Sequence, residues 1–315
     1  MIRTPLCDLV GIKYPIVQGG MAWVGTAELA AAISNAGGLG MIGGGNAPPE
    51  EVAREIRLAK EFTDKPFGVN IPLAISEYAD DIVALCIKEG VKMMVIGAWR
   101  PGNHIARLKE ANITVIPVIA SVALAKRLER QGVDALIAEG MESGGHIGDV
   151  ATMPLVPQVV NVVDIPVIAA GGIADGRGLV AALALGAQGI QMGTRFICTT
   201  ECTVHENYKR AILKARDRST VTTGHSLGHP VRALKNPMVH QFEELERRGI
   251  SEEEIIEFGT GKLRLAAIKG DITNGSVMAG QIAGMINDIV PVKELIERIV
   301  AEAEEIIGQL QGVVS

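Results

Sequence analysis

Residues 165–196 read IPVIAAGGIADGRGLVAALALGAQGIQMGTRF, and their punctuation decides the fold. Residues 166–170 form an apolar run of strand length and composition. Gly171 and Gly172 follow, where a side chain would obstruct close backbone approach. Asp175 is placed to cap a helix starting near Gly176; residues 179–185 carry its apolar face, and Gly186 ends it. A second strand over 188–192 runs into Gly193, Thr194 and Arg195. The order is strand, glycine loop, helix, strand, glycine loop, with both loops at the carboxyl ends of their strands. Two tight turns in any α/β protein would read alike. Counting outward makes these the seventh and eighth strands of a barrel, whose loops, with a helix N-terminus, form the usual phosphate site.

The other β-like runs fall at 15–18, 39–42, 67–71, 92–96, 113–119 and 135–139. Helical patterns over 26–36, 49–61, 80–88, 103–110, 122–130 and 155–162 separate them. Eight nearly all-apolar strands alternating with helices predict an α/β chain folded as a (β/α)8 TIM barrel. After the eighth strand the rhythm changes. A basic helix over 207–215 carries Lys209, Arg210 and Lys214, and a glycine-punctuated loop carries His225, His229 and Arg232. Ser251 followed by Glu254 fits a capping box opening an acidic helix over 251–257. Residues 205–285 are expected to form a smaller, mostly helical inserted domain at the barrel mouth. Leu295, Ile299, Ile306 and Leu310, at helical spacing, predict that the tail returns as the last barrel helix. The barrel then comprises 1–204 and 286–315. Gly38, Gly40 and Gly43 spell G-x-G-x-x-G but straddle the second strand, whereas the dinucleotide fingerprint follows a strand and opens a helix. A turn at 37–38 and a glycine loop at 43–45 account for them better.

A chain of 315 residues, 48% hydrophobic and with 37 glycines, suits one large α/β domain with at most a small second one. An aromatic share of 3% argues against a stacking platform for nucleic acid. A net charge of −6 disfavours a polyanionic partner except at a local patch. Cys7, Cys86, Cys198 and Cys202 are scattered in no metal-binding spacing, so reduced thiols, a cytoplasmic location and no metal centre are expected. The opening MIRTPLCDLV lacks a signal-peptide core, and no apolar run approaches about 18 residues without charge or glycine, so no membrane span is expected.

Barrel active sites lie at the carboxyl ends of the strands. Those ends read Gln18-Gly19-Gly20-Met21, Gly43-Gly44-Gly45-Asn46, Asn70, Gly97, Glu139 with Ser143-Gly144-Gly145-His146, Gly171-Gly172, and Gln191-Met192-Gly193-Thr194. The set has neither the acidic cluster of a metal hydrolase nor a Schiff-base lysine. Glycines, amides and one histidine suit a flat heterocycle bearing donors, acceptors and one phosphate, and flavin mononucleotide fits that inventory. His146 lies in a glycine-rich loop where no core position is expected, so it is the candidate proton donor or acceptor; a purely structural histidine is the alternative. Glu139 serves either a ribityl chain or the loop.

QGGMAWV at 18–24, AGGLGMIGGGNAP at 36–48, KPFGVNI at 65–71, AEGMESGGHIG at 138–148, IPVIAAGGIADG at 165–176, QMGTRF at 191–196 and SVMAGQIAG at 276–284 together resemble the flavin-dependent enoyl-acyl-carrier-protein reductase of type II fatty-acid synthesis. That enzyme belongs to the nitronate monooxygenase (2-nitropropane dioxygenase) superfamily. The resemblance covers nearly the whole chain. GHPVRALKN at 228–236 is closer to the reductase than to the monooxygenase, and 252–257 matches less clearly. The resemblance implies FMN held by Gly19, Gly20, Met21, Asn70, Glu139, Gly145, Gly171, Gly172, Gln191, Met192, Gly193 and Thr194, with Met278 and Gln281 approaching from the returning segment. It implies that His146 is catalytic, that NAD(P)H is the co-substrate, and that trans-2-enoyl thioesters are reduced. It further implies a monovalent cation, a homodimer and an acyl carrier protein as partner. The basic helix would be the carrier's landing site, or else an ordinary solvated face.

The same flavin site would serve a nitronate monooxygenase, with His146 managing a substrate proton and reduced flavin meeting oxygen. A dehydrogenase resembling that of inosine monophosphate needs a cysteine in the loop after the sixth strand, which here has His146 instead. A non-enzymatic flavin carrier is the remaining reading.

Overall fold

The structure, a computed structural model, describes residues 2–73, 76–97 and 103–313. Its elements are, in order, α1 (Pro5–Val10), β1 (Ile16–Gln18), α2 (Ala27–Asn35), β2 (Gly40–Gly43), α3 (Pro49–Phe62), β3 (Phe67–Pro72), α4 (Ala79–Lys88), β4 (Met93–Gly97), α5 (His104–Glu110), β5 (Thr114–Ile119), α6 (Val122–Glu129), β6 (Leu136–Glu139), β7 (Gly145–His146), α7 (Thr152–Val160), β8 (Val167–Ala170), α8 (Gly176–Ala184), β9 (Gly189–Met192), α9 (Thr194–Ile197), α10 (Glu206–Leu213), β10 (Thr220–Thr223), β11 (Val231–Leu234), α11 (Pro237–Arg247), α12 (Glu252–Gly259), α13 (Lys262–Lys269), a 3-10 turn (Gln281–Met285) and α14 (Val292–Gln311).

Eight strands pair in parallel, in the order β1-β9-β8-β6-β5-β4-β3-β2. All eight coincide, within a residue or two, with the predicted apolar runs. β2 and β1 close the ring through a single bridge, Val17 to Leu39. The side chain of Gln18 completes this seam. Its Nε2 donates to the Met41 carbonyl and its Oε1 accepts from the Met41 N–H, both at 2.9 Å. Gln18 is therefore a surrogate ladder residue, and its amide is not free to line the mouth.

Strand residues alternate between two apolar layers, as period-two geometry requires. Val17, Leu39, Met41, Met93, Val95, Ile116, Ile137 and Ile168 fill the barrel interior, and Leu6, Cys7 and Val10 of α1 plug its floor. Ile42, Val69, Met94, Val115, Leu136, Val167 and Ile190 point outward beneath the helices. Gly68 makes room inside, since a Cβ there would lie 3.0 Å from the Met41 sulfur.

The predicted caps are present. Asp175 accepts from the N–H groups of Arg177 and Gly178 at the start of α8, and Gly186 has φ +92° just past its end. α14 is the eighth barrel helix and packs against α8 and α2. Its Glu302 accepts from Gly176 N–H at 2.8 Å, so two carboxylates occupy the N-terminus of α8. Among the described residues, no helix is long and apolar enough to cross a membrane.

Residues 205–285 carry α10 to α13; α11 and α12 share a small core of Met238, Val239, Phe242 and Ile255, while α10 and α13 pack into the main core through Tyr208, Ile212, Ala266 and Ala267. They also carry a hairpin. Val231 to Leu234, expected in a loop, form β11, paired antiparallel with β10 and, on its other side, with β7 from the barrel. The reason is tertiary: Gly145 and His146 cover the outer edge of the hairpin.

Candidate active site at the barrel mouth

The chain gathers the predicted residues at the carboxyl ends of the strands. The loop after β1 is tied to β9 by Gly19 N–H donating to the Met192 carbonyl at 2.8 Å. A Cβ on Gly20 would sit 2.0 Å from Asn70 Cγ, so the Asn70 amide lies directly against that loop, fixed by donation to the Val95 carbonyl at 3.2 Å. In the same loop Trp23 adopts φ +62°, and Arg264 of the insert lies 4.9 Å over its ring.

Gly171 and Gly172 turn back at φ +92° and +72°, conformations that exclude most side chains. Across from them Gly193 caps the short α9, with the Met21 sulfur 3.4 Å from where its Cβ would be. Among the described residues, no backbone acceptor pairs with the N–H groups of Gly172, Gly193 or Thr194. Such a cradle-like arrangement of N–H groups suits an anion. Because carboxylates fill the start of α8, the helix terminus available to that cradle is that of α9. The Thr194 hydroxyl accepts from Gly280 N–H at 2.9 Å, fastening the returning segment to the cradle.

Gln191 is buried at 6% exposure, and its Oε1 is a buried acceptor with no donor among the described residues. Glu139 ends β6, where burial pushes its carboxyl up to about 8 against the opposing hydrogen bond from Ser143. At neutral pH it is mostly a neutral group that donates as well as accepts. The orphaned amide oxygen, the neutral carboxyl and the glycine cradle together fit a heterocycle with ring N–H groups, a hydroxylated chain and a phosphate. FMN has those parts. Met192, by contrast, packs its side chain among the outer apolar layer and offers the mouth only its backbone.

His146 sits on β7, its backbone opposite Val231, and Ile147 N–H donates to the Pro230 carbonyl at 3.0 Å. The imidazole is exposed at the mouth. Desolvation by the surrounding protein, with His229 adding like-charge repulsion, still holds its pKa below the ordinary value. The returning segment reaches the same loop. Gln281 N–H donates to the Glu142 carbonyl at 2.9 Å, while the Gln281 side chain is exposed. The Met278 sulfur lies 3.6 Å from where a Cβ on Gly145 would be, and the Met278 carbonyl accepts from the Tyr208 hydroxyl at 2.8 Å.

Residues not anticipated from sequence hold this loop in place. The Glu142 carboxylate accepts from Thr152 N–H at 3.0 Å and from its hydroxyl at 2.9 Å, clamping the loop to α7. Arg232, expected in a loop, is a buried strand residue whose Nε donates to the Met141 carbonyl at 3.0 Å. The basic helix is also altered. Lys209 is buried and donates to the Thr199 carbonyl at 2.9 Å, which leaves Arg210 on α10 and Lys214 just past its end as the exposed members of the basic trio. All four cysteines are buried and unbridged; burial pushes Cys86 and Cys198 up to about 12 and Cys202 to about 11, so these three supply no thiolate at neutral pH.

Comparison with known proteins agrees with this geometry. The sequence profile described as nitronate monooxygenase matches residues 3–302. The structure of FabK from Thermotoga maritima is 51% identical over 99% of this chain and 100% of that one, with a TM-score of 0.96. A nitroalkane oxidase from Streptomyces ansochromogenes is 30% identical over 97% of this chain and 99% of that one, with a TM-score of 0.85. A Mycobacterium tuberculosis enzyme, (3aS,4S,5R,7aS)-5-hydroxy-7a-methyl-1-oxo-octahydro-1H-indene-4-carboxyl-CoA dehydrogenase, is 39% identical over 96% of each chain.

Proposed function

The chain belongs to the nitronate monooxygenase family, and from that premise we propose that it is an FMN-dependent reductase that uses NAD(P)H to reduce trans-2-enoyl thioesters. It is an enzyme and an oxidoreductase, like its relatives. One observation favours the thioester reaction over nitronate oxidation. The segment 228–236, closer in sequence to the reductase, supplies β11, the strand against which His146 is held. The identity to FabK, an enoyl-ACP reductase, and the carboxyl-CoA dehydrogenase among the relatives support the same reading.

FMN, when bound, would relay a hydride from NAD(P)H to the β-carbon of the enoyl thioester. The chain's residues do the rest. Gly171, Gly172, Gly193 and Thr194 would hold the phosphate through backbone N–H groups. Gln191 would accept a ring N–H, and the neutral Glu139 would hydrogen-bond the ribityl hydroxyls. Asn70, pressed against Gly20, would fix the ring edge, with Gly19, Met21, Gly145 and Met278 closing around it. His146 would deliver the proton to the α-carbon, so hydride and proton together saturate the double bond. An imidazole with a lowered pKa gives up that proton readily.

The nitronate reading keeps the same site and is favoured by the nitroalkane oxidase match. Anaerobic addition of NADH to the FMN-loaded enzyme separates the two. Bleaching of the flavin without any nitro compound supports the reductase. An unbleached flavin that is reduced only by an alkyl nitronate would replace it with the monooxygenase.

A further inference from the structure

We propose that Arg232 is a positioning residue for His146, fastening the loop after β6 to the insert's sheet so that the imidazole is held at the mouth. This rests on the reading of His146 as proton donor. β7 is only two residues long and is flanked by Gly140, Gly144 and Gly148. So short and glycine-rich a strand does not order itself; its conformation must be imposed from outside.

Three fastenings reach the loop. The Glu142 carboxylate ties it to Thr152 of α7. The returning segment lies against it, with a Cβ on Gly144 falling 2.7 Å from Gly280 N. Arg232 makes the third, and it alone belongs to the strand that pairs with β7. Its backbone is in register with Gly145, and its Nε reaches back to the Met141 carbonyl at 3.0 Å. One residue thereby grips both ends of the 141–145 segment, one residue before His146. A second arm of the fork, Nη1, lies 3.2 Å from the Thr220 hydroxyl on β10 and fixes the guanidinium's plane.

The side chain is 5% exposed; its hydrogen bonds go to the neutral Met141 carbonyl and Thr220 hydroxyl, and the Glu142 carboxylate of the same loop attracts it without a direct ion pair among the described residues. Desolvation outweighs the attraction of Glu142 and holds the Arg232 pKa below its ordinary value, so burying this cation is costly compared with an apolar side chain of similar size. Stability alone would favour methionine here, which points to a role in geometry. A lysine cannot replace it fully, since one ammonium cannot reproduce a rigid fork aimed at two elements.

The test uses the FMN-loaded full chain and the variants Arg232→Met, Arg232→Lys, His146→Ala and Arg232→Met/His146→Ala. Hydrogen–deuterium exchange over 140–147 should rise about 10-fold or more in Arg232→Met, with the barrel strands unchanged. FMN content and reduction by NADH should stay near wild type. Anaerobic flavin reoxidation by crotonyl thioester should slow about 10- to 100-fold, the scale of a misplacement of about 1 Å. Arg232→Lys should recover part of that loss. The double variant should be no slower than His146→Ala, because Arg232 acts through His146. A loss that multiplies in the double variant, or wild-type reoxidation and exchange in Arg232→Met, overturns the proposal. If Arg232→Met does not fold, Arg232→Lys carries the comparison, with about a 3- to 10-fold loss expected and wild-type behaviour overturning it. Wild-type reoxidation in His146→Ala would instead overturn the proton-donor reading, and this role with it.

Discussion

Gln191→Leu separates the cofactor-free protein from its complex. Gln191 lies on β9 with its side chain buried and its Oε1 unpartnered among the described residues. A buried acceptor left without its hydrogen bond costs about 1–3 kcal/mol. Leucine fills a similar volume and has no acceptor. The variant without FMN should therefore melt no lower than wild type, with a gain of at most about 3 kcal/mol, or about 6 °C in Tm at roughly 2 °C per kcal/mol for a chain of this size. The complex moves the other way. Losing the hydrogen bond from a flavin ring N–H should weaken FMN binding by a similar energy, a factor of about 5 to 150. Calorimetric melting of the stripped protein reads the first shift, and titration with FMN by fluorescence quenching reads the second. A stripped variant that melts lower than wild type and binds FMN equally well would mean that Gln191 is satisfied within the chain and turned away from the cofactor.

Glu139→Gln should flatten the pH dependence of stability in the stripped protein. The wild-type carboxyl is raised from 4.5 to about 8 by burial, so its stabilising contribution is complete below about 4.5 and is lost as pH rises through about 8. Denaturant midpoints from pH 4 to 9 check this, and an unchanged slope would count against a buried neutral carboxyl. Lys209→Met should cost about 1–3 kcal/mol by leaving the Thr199 carbonyl unpaired, whereas Arg210→Ala and Lys214→Ala should stay within about 0.5 kcal/mol. Equal effects in urea melts would mean that all three face solvent. If α10 does receive an acidic carrier, Arg210→Glu with Lys214→Glu should slow turnover of the carrier-linked substrate most at low salt and spare a short thioester; equal loss with both substrates would reject docking there.

The barrel was legible because its strands obey a strong rule. Runs such as 166–170 are apolar on both faces, since interior and helix layer both exclude water, and Asp175 and Gly186 mark the helix between them. What sequence missed is what tertiary pairing creates. Two residues, Gly145 and His146, have no periodicity to read, and their strand exists only because β11 lies beside them. That pairing also turned the expected loop around Arg232 into a strand. Lys209 looked solvent-facing because it is charged, yet α10 turns it inward beside Tyr208, where the Thr199 carbonyl receives it. Gln18 stood among the mouth-lining amides by position, but closing the seam between β1 and β2 takes both ends of its carboxamide.

In the proposed reaction His146 protonates the substrate after the flavin has been reduced. Anaerobic double-mixing stopped flow, with NADH first and crotonyl thioester second, addresses it on wild type and His146→Ala. Normal FMN content and normal reduction are expected in the variant, with reoxidation slowed about 10²–10⁴-fold. Wild-type reoxidation should fall as pH rises through a single midpoint below the ordinary histidine value of 6.5, because the proton must be on the imidazole to be given; the variant should lose that limb. A variant that reoxidises at the wild-type rate with the same pH dependence would remove His146 from the reaction.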